Sequence, residues 1–168
     1  KEEEKLPKLS AAEFRVYNSM AEHMDYYHNH FRQTWSTLTT ACTNNRRPPN
    51  TTLKSFLSMA SQFLSHLAMH HDIEEQHIFP ILARKMPEFR NTALLLEQHR
   101  KIHEGMDRLG EYVEEVRRGE RELELREMGK RMEWGEVLWS HLDEEVKTLG
   151  AENMRSYWTV EEMRRMPM

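Results

Sequence analysis

The sequence predicts an all-α protein, an up-down four-helix bundle with a short C-terminal helical extension. Two observations support this fold class. Only six of the 168 residues are glycine and only six are proline, and apolar residues recur at alternating steps of three and four in four long segments, which is the spacing of one helix face. Four amphipathic helices of this length bury their apolar faces most simply against one another.

The length of the chain fits one domain that can bury a continuous core without disulfide support. We assign the bundle to residues 10–150. Residues 1–9 are expected to form a solvated N-terminal tail, and residues 151–168 are expected to form an extension that packs on the bundle. No internal repeat or low-complexity segment indicates a second domain.

The first helix is expected to begin after Ser10. The Ser10 hydroxyl and the Glu13 carboxylate can each accept a hydrogen bond from an otherwise unpaired backbone N–H, an arrangement called the capping box. The helix should end near Cys42, because residues 43–50 are rich in turn-forming side chains and include two prolines. The predicted inward stripe consists of Phe14, Tyr17, Ala21, Met24, His28, Phe31, Trp35 and Leu38.

The second helix should start near Thr52 and carry Phe56, Phe63, Leu67 and Phe79 inward. Pro80 has no backbone N–H, so it is expected to kink or interrupt this helix before Pro87 ends the segment.

The third helix is predicted from about Arg90 to Arg118 and should end at Gly119. Its predicted inward residues are Leu95, His99, Ile102, Met106 and Val113.

The fourth helix is predicted as one element from Glu122 to Leu149, stopped by Gly150. Beyond it, Thr159 and Glu162 form a second capping box, which predicts a short fifth helix across one end of the bundle. The predicted inward residues of the fourth helix are Trp134, Leu138, His141, Glu145 and Leu149.

Charge and composition exclude several classes of function. The formal net charge is −4, and the basic residues are interspersed with glutamate, so no basic surface suits nucleic acid. No apolar run approaches the roughly 20 residues of a membrane span, so we expect no membrane partner. The single Cys42 provides neither an internal disulfide nor a thiolate metal site, which favours a reducing compartment, and we expect a cytoplasmic protein. The pattern leaves the oligomeric state undetermined.

The ten histidines are the most informative feature, because every predicted bundle helix carries at least one of them. A single inward histidine is most often a hydrogen-bonded core residue. Here that interpretation would have to hold on four helices at once, at about 1 to 3 kcal/mol for each unpaired buried group. A bound cation removes this cost by turning the same groups into ligands.

Helical spacing indicates which side chains could bind that cation. Residues four apart lie on one helix face, and this spacing joins the pairs His70/Glu74, His99/His103 and His141/Glu145. Imidazole and carboxylate without thiolate suit iron, manganese or zinc. Together with His28 on the first helix these groups make seven candidates, too many for one tetrahedral zinc. They would suit two ions that share two carboxylates and leave one coordination position open.

Periodicity leaves the register of the second helix open between His70/Glu74 and His71/Glu75. His23 and His77 are expected on the surface, and His30 is expected to be exposed or peripheral to the site. His66 is expected either to extend the His70 face towards the site or to cap the core. A ligating imidazole usually donates its other N–H to an oxygen, and Gln98 and Glu97 are candidates for that acceptor.

Four short motifs resemble the hemerythrin-like (HHE cation-binding) family over approximately Phe14 to Leu149. They are HNHFR at residues 28–32, HHDIEEQHIFP at 70–80, HRKIH at 99–103 and HLDEE at 141–145. The resemblance selects the His70/Glu74 register. It implies that His28 and His70 hold one iron, that His99, His103 and His141 hold the other, and that Glu74 and Glu145 bridge them.

The last motif departs from the oxygen-carrying hemerythrins, which have His followed five residues later by Asp. Here Glu145 follows His141 after four residues, a form that other hemerythrin-like proteins share, iron-sensing ones among them. The leading hypothesis is a non-haem diiron protein that binds dioxygen or a related small ligand. The alternatives are a diiron oxidase or oxygenase acting on a small molecule, and an iron or redox sensor, so whether the protein is an enzyme stays open.

Overall fold

A computed structural model describes residues 6–90 and 93–168. Within these residues the regular structure is entirely helical, which confirms the all-α prediction. The N-terminal end of the predicted third helix falls partly on residues 91 and 92, outside the described residues. The helices are α1 (Ala11–Tyr17), α2 (Ser19–Asn44), α3 (Leu53–Ile73), α4 (Phe79–Leu82), α5 (Ala93–Arg117), α6 (Leu125–Lys130), α7 (Gly135–Thr148), α8 (Ala151–Met154) and α9 (Val160–Arg164).

Four of these segments form the bundle. Helix α2 packs against α3 and against α6 and α7, and α5 packs against α3 and α7, which closes a ring of four. Each helix pairs with the next along the chain, so the topology is up-down. The predicted four-helix bundle is therefore confirmed.

The first predicted helix is interrupted at Asn18. Ser10 and Glu13 form the predicted capping box, but the Asn18 side chain accepts a hydrogen bond from the backbone N–H of Ala151 at 3.2 Å. Helix α1 packs against α8 and α9 instead of extending the bundle. The expectation that Phe14 belongs to the inward stripe is therefore wrong, and its side chain is 44% exposed.

The second predicted helix changes pitch before its proline. Between α3 and α4 the chain forms one wide π-helical turn, Glu74–Ile78, and Pro80 lies in the first turn of α4. The predicted interruption is thus present, but it begins six residues before the proline. Proline removes the N–H that would bond the carbonyl four residues earlier, and a wide turn is one way for a helix to absorb that loss.

The fourth predicted helix is two helices, so the expectation of one element from Glu122 to Leu149 is wrong. Residues 131–134 form turns between α6 and α7. Aromatic packing explains the break, because Trp134 lies over Gly105 of α5, where a Cβ atom would stand 2.2 Å from the indole Cγ. In the same way Gly135 provides space for Trp35 of α2, whose Cζ2 would lie 2.7 Å from an added Cβ.

The bundle interior contains two separate apolar clusters. The larger lies towards the α2–α3 loop and includes Phe31, Trp35, Phe63, Leu109 and Leu138. The smaller lies at the opposite end, where α8 and α9 close the bundle, and it includes Met20, Met24, Ile78, Leu149 and Trp158. The buried polar side chains of the described chain are His28, His71, Glu74, His141 and Glu145.

Their sequence positions place these polar residues between the two clusters. On α2, His28 separates Met24 of the smaller cluster from Phe31 of the larger, and on α7, Glu145 separates Leu149 from Leu142. We call this the polar layer. No helix of the described residues is long and apolar enough to cross a membrane.

Candidate metal centre

One half of the polar layer brings together four of the predicted ligands. His28, His70, Glu74 and Glu145 each present one ligand atom, and these atoms all lie within 4.8 Å of one another. His28 Nε2 lies 3.5 Å from Glu145 Oε2, and His70 Nε2 directly contacts Glu74 Oε1. Two imidazoles and two carboxylates from three helical segments thus converge on one point.

The positions of these residues along their helices explain why their side chains point inward. His28 is fully buried. It lies on the apolar face of α2, one helical turn after Met24. On the other side, Glu74 opens the π-helical turn and is 2% exposed, whereas the adjacent Glu75 is exposed. The carboxylate that the structure directs inward is therefore the one in the His70/Glu74 register.

The second half of the polar layer centres on His141. Its Nδ1 lies 3.2 Å from Oε1 of Gln98, an oxygen that can only accept, so Nδ1 carries the proton and Nε2 presents a lone pair. That Nε2 lies 2.6 Å from Glu145 Oε1 and 3.3 Å from His99 Nε2. Gln98 is one of the two acceptors suggested by the sequence, whereas Glu97 instead pairs with Arg100.

This arrangement of His141 indicates a missing positive charge. A carboxylate oxygen and an imidazole lone pair face each other at hydrogen-bond distance with no proton between them, which is repulsive unless a proton or a cation lies there. The spacing between the Nε2 atoms of His99 and His141 also equals what two ligands of one ion adopt, since bonds of about 2.1 Å at 90–110° separate their nitrogens by roughly 3.0 to 3.4 Å.

The remaining predicted ligand, His103, lies at the edge of the layer and is exposed. Its ring centre is 6.1 Å from that of His71. His99 is partly buried, and its Nδ1 lies 3.4 Å from Glu75 Oε1. The outer face of this half of the layer is thus closer to solvent than the His28 side.

His71 is the buried residue that the predicted ligand set omits. It is 2% exposed, and its ring lies against those of His99 and His141, with centres 5.9 and 6.0 Å apart. The i,i+4 rule treats His70 and His71 as alternative registers. Consecutive helical residues differ by only 100° in direction, so two neighbours can both reach an interior that lies between them. Two histidines in succession, His70 and His71, are the sequence signal that could have indicated two inward-facing imidazoles.

Burial determines the protonation of the imidazoles. Burial lowers the pKa of His70 to about 4, in part offset by the nearby Glu145 carboxylate. It also lowers the pKa of His71 to about 3 and that of His99 to about 4. These three rings are neutral at pH 7 and present lone pairs, the form in which histidine binds metal.

The two inward carboxylates differ in their protonation. Burial, and next the neighbouring Glu145, raise the pKa of Glu74 well above its ordinary value. Burial also acts to raise the pKa of Glu145, but the adjacent side chains of His141 and His28 outweigh it and hold that pKa well below its ordinary value. A cation between the two carboxylates would remove their mutual repulsion.

The unpaired atoms fit a metal. Within the described residues, both carboxylate oxygens of Glu74 and Glu145, both ring nitrogens of His28 and His71, and Nε2 of His70 are buried without a hydrogen-bond partner. Such groups are rare in folded proteins, and each costs about 1 to 3 kcal/mol. Nitrogen and oxygen donors without thiolate are the set expected for iron, manganese or zinc.

A cavity adjoins the His28/His70 half of the layer. It has a volume of about 580 Å³, is half-open, and is lined by His70 and Glu74 on its inner wall. Tyr27, Met69 and Ile73 contribute apolar surface to it, and all three are at least partly exposed. A small molecule of moderate size could therefore reach a metal held at this side.

A helical bundle whose interior collects histidines and carboxylates from all four bundle segments defines the class of metal-binding four-helix bundles. The chain belongs to one family within that class. It matches the model of the hemerythrin HHE cation-binding domain over residues 19–151, which confirms the resemblance drawn from the sequence. No curated protein and no solved structure matches the chain. Family membership implies that the protein binds a metal cation.

Proposed function

We propose that the protein is a non-haem diiron protein that binds dioxygen or a related small ligand at an open iron position, and that it serves oxygen or iron handling. In this proposal His28 and His70 hold one iron, and His99, His103 and His141 hold the other. Glu74 and Glu145 bridge the two ions. Iron supplies the capacity to bind and reduce dioxygen, while the chain provides the ligands and the enclosure.

The observation that carries the proposal is the position of Glu145. One of its oxygens lies 3.5 Å from His28 and the other 2.6 Å from His141. A single carboxylate therefore faces imidazoles from both halves of the layer, which is the placement that a bridging ligand requires.

The direct test is anaerobic reconstitution of the full chain with Fe(II), followed by metal analysis and optical spectroscopy during cycles of oxygen exposure and removal. We expect two irons per chain and ligand-to-metal absorption bands that appear with oxygen and disappear on its removal. Carefully purified protein that binds one zinc or no metal would contradict the diiron site. Two irons with irreversible oxidation would contradict reversible binding.

Two neighbouring histidines on α2 provide a matched pair of variants for this test. His28→Gln removes a buried imidazole of the polar layer and should reduce the iron content to about one per chain or less. His30→Gln changes an exposed residue two positions away and should leave the iron content unchanged. Equal iron contents in the two variants would exclude His28 as a ligand.

The cavity of about 580 Å³ beside His70 and Glu74 favours a second candidate function, a diiron oxidase or oxygenase acting on a small molecule. Its volume lies within the range of about 300 to 1,000 Å³ that is usual for small-molecule sites. Carrying dioxygen requires no cavity of this size. Turnover of an added apolar substrate with consumption of oxygen, at more than one equivalent per diiron centre, would favour the enzyme over the carrier.

A further inference from the structure

We propose that His71 is a ligand of the second metal ion, together with His99, His103 and His141. This inference rests on the proposed function because it presupposes a dinuclear site, and it adds to that site a residue outside the seven assigned by resemblance.

The first argument is that His71 has no hydrogen-bond partner within the described part of the chain. Its side chain is 2% exposed, and neither ring nitrogen has a hydrogen-bond partner among the described residues. A neutral imidazole has one donor and one acceptor, and leaving both unpaired in the interior costs about 1 to 3 kcal/mol for each. A histidine that only filled space would be replaced by an apolar residue at lower cost.

The second argument is the geometry of the surrounding rings. The centres of His71, His99 and His141 form a triangle with sides of 5.9, 6.0 and 4.8 Å. The centre of such a triangle lies about 3.3 Å from each corner, and a metal–nitrogen bond of about 2.1 Å places the ring centre about 3.2 to 3.3 Å from the ion. One ion can therefore be shared by all three rings.

The third argument concerns the local helix. His70 faces the other half of the layer, with its ring centre 5.4 Å from that of His28, while His71 faces His99 and His141. The two adjacent residues thus reach opposite sides of the bridging carboxylates, immediately before the π-helical turn that directs Glu74 inward. Wide turns of this kind are frequent at functional sites.

If His71 is the fourth imidazole on the second ion, it determines which ion can bind an exogenous ligand. Four imidazoles and two shared carboxylates supply six donors, the number of an octahedral site. The second ion would then have no vacant position, and the exogenous ligand would bind on the His28/His70 side. That side is the one next to the cavity lined by His70 and Glu74.

The experiment counts metal-bound histidines in the intact protein. The full chain, labelled with ¹⁵N in its histidines, is loaded with two equivalents of Zn(II), and long-range ¹H–¹⁵N spectra report which ring nitrogens bind metal. We expect six rings to change on loading: His28, His70, His71, His99, His103 and His141. A spectrum in which five rings change and the His71 ring does not would overturn the inference.

Two variants assign the signal and measure its effect. His71→Gln should remove one of the six signals and weaken binding of the second Zn(II) at least tenfold in a chelator-competition titration. His77→Gln alters an exposed histidine of the same segment and should change neither. Unchanged affinity in His71→Gln would contradict the inference, and if that variant fails to fold, the ring count in the wild-type chain decides the question.

The outcomes separate this inference from the proposed function. Six metal-bound rings in a protein that shows no reversible reaction with oxygen would support His71 as a ligand and contradict the oxygen-binding proposal. Five bound rings together with reversible oxygen binding would contradict only the inference. A wild-type chain that takes up no metal would contradict both.

Discussion

Glu74 and Glu145 are the two buried carboxylates of the described residues, and they lie beside the buried imidazoles of the polar layer. In the metal-free chain Glu74 is the less favourable of the two, because burial and the neighbouring Glu145 raise its pKa. A carboxyl group with a raised pKa stabilises the fold at low pH, where it is protonated. That contribution is lost as the pH rises through the folded-state pKa.

From this follows a prediction for Glu74→Gln. At pH 7 the metal-free variant should be more stable than the metal-free wild type by about 1 to 3 kcal/mol, because it has neither a buried charge nor a carboxyl group that must take up a proton on folding. The stability advantage of the variant over the metal-free wild type should grow between pH 4 and pH 7, while the buried neutral histidines contribute the same pH dependence to both chains. Urea unfolding in the presence of a chelator measures both effects.

The matched control for this prediction is Glu75→Gln, which changes the adjacent, exposed carboxylate. It should alter the metal-free stability by no more than about 0.5 kcal/mol. With metal bound, the order should reverse, so that wild type is more stable than Glu74→Gln. If the metal-free variant were less stable than wild type, Glu74 would be hydrogen-bonded rather than unpaired.

Cys42 provides a prediction away from the metal centre. Burial raises the pKa of this thiol to about 11, so at pH 8 only ~0.1% of it is thiolate, against roughly 25% for an unfolded cysteine with a pKa of about 8.5. Alkylation by iodoacetamide at pH 8 should therefore be about 200-fold slower in the folded protein than in denaturant. Equal rates in the two states would show that the end of α2 opens readily.

The sequence predicts the burial of a polar residue best where that residue lies on an apolar helical stripe and could also bind a metal. His28, His141 and Glu145 lie on predicted apolar stripes, and the structure buries all three. His71 is missed because the choice between two registers assumes that only one of two adjacent histidines can point inward. Phe14 is misplaced because the three-four spacing of apolar residues continues through Asn18. The helix is interrupted there, and the hydrogen bond that Asn18 accepts from Ala151 depends on a distant part of the chain.

Packing between helices is closest where glycine and tryptophan meet. At Gly105, an added Cβ would stand within 2.6 Å of three atoms of the Trp134 indole, a bulky group that is itself buried. Gly105→Ala should therefore destabilise the bundle by at least about 1 to 3 kcal/mol, because a rigid side chain must move. Thermal or urea unfolding of the metal-loaded protein measures the loss.

Gly110 is the matched control on the same helix α5. Its added Cβ would meet Leu64 Cδ1 at 3.6 Å, an ordinary contact. Gly110→Ala should stabilise the protein by about 0.5 to 1 kcal/mol, because alanine favours the helix more than glycine does. The same sign of change in both variants would exclude the Trp134 contact as the cause.

The sequence predicts the starts of capped helices better than it predicts interruptions within helices. The capping boxes at Ser10 and Thr159 are both formed, since they depend only on residues three apart. The sequence does not indicate the turns at residues 131–134. They accompany the packing of Trp134 over Gly105, a contact between separate helices that local sequence patterns do not report. Pro80 correctly indicates an interruption of the second helix. It does not indicate where the π-helical turn begins, which is at Glu74 in the polar layer.

At the scale of the whole molecule, the buried polar residues lie in one layer, so metal binding and folding should be strongly coupled. A ligand present at 1,000 times its dissociation constant stabilises the folded state by about 4 kcal/mol. For a chain of this size, that should raise Tm by roughly 8 to 16 °C. Calorimetry of the chain with and without a chelator measures this shift, and an unchanged Tm would contradict a metal in the layer.

The polar layer also lies between two separate apolar clusters of the core. Without metal, the end containing Met20, Leu149 and Trp158 is joined to the Trp35 end mainly through unpaired imidazoles and carboxylates. Amide hydrogen exchange of the metal-free chain should then show the α8–α9 end opening at lower free energy than the other. In the metal-loaded chain both ends should open together, so the ions would make one cooperative folding unit out of two.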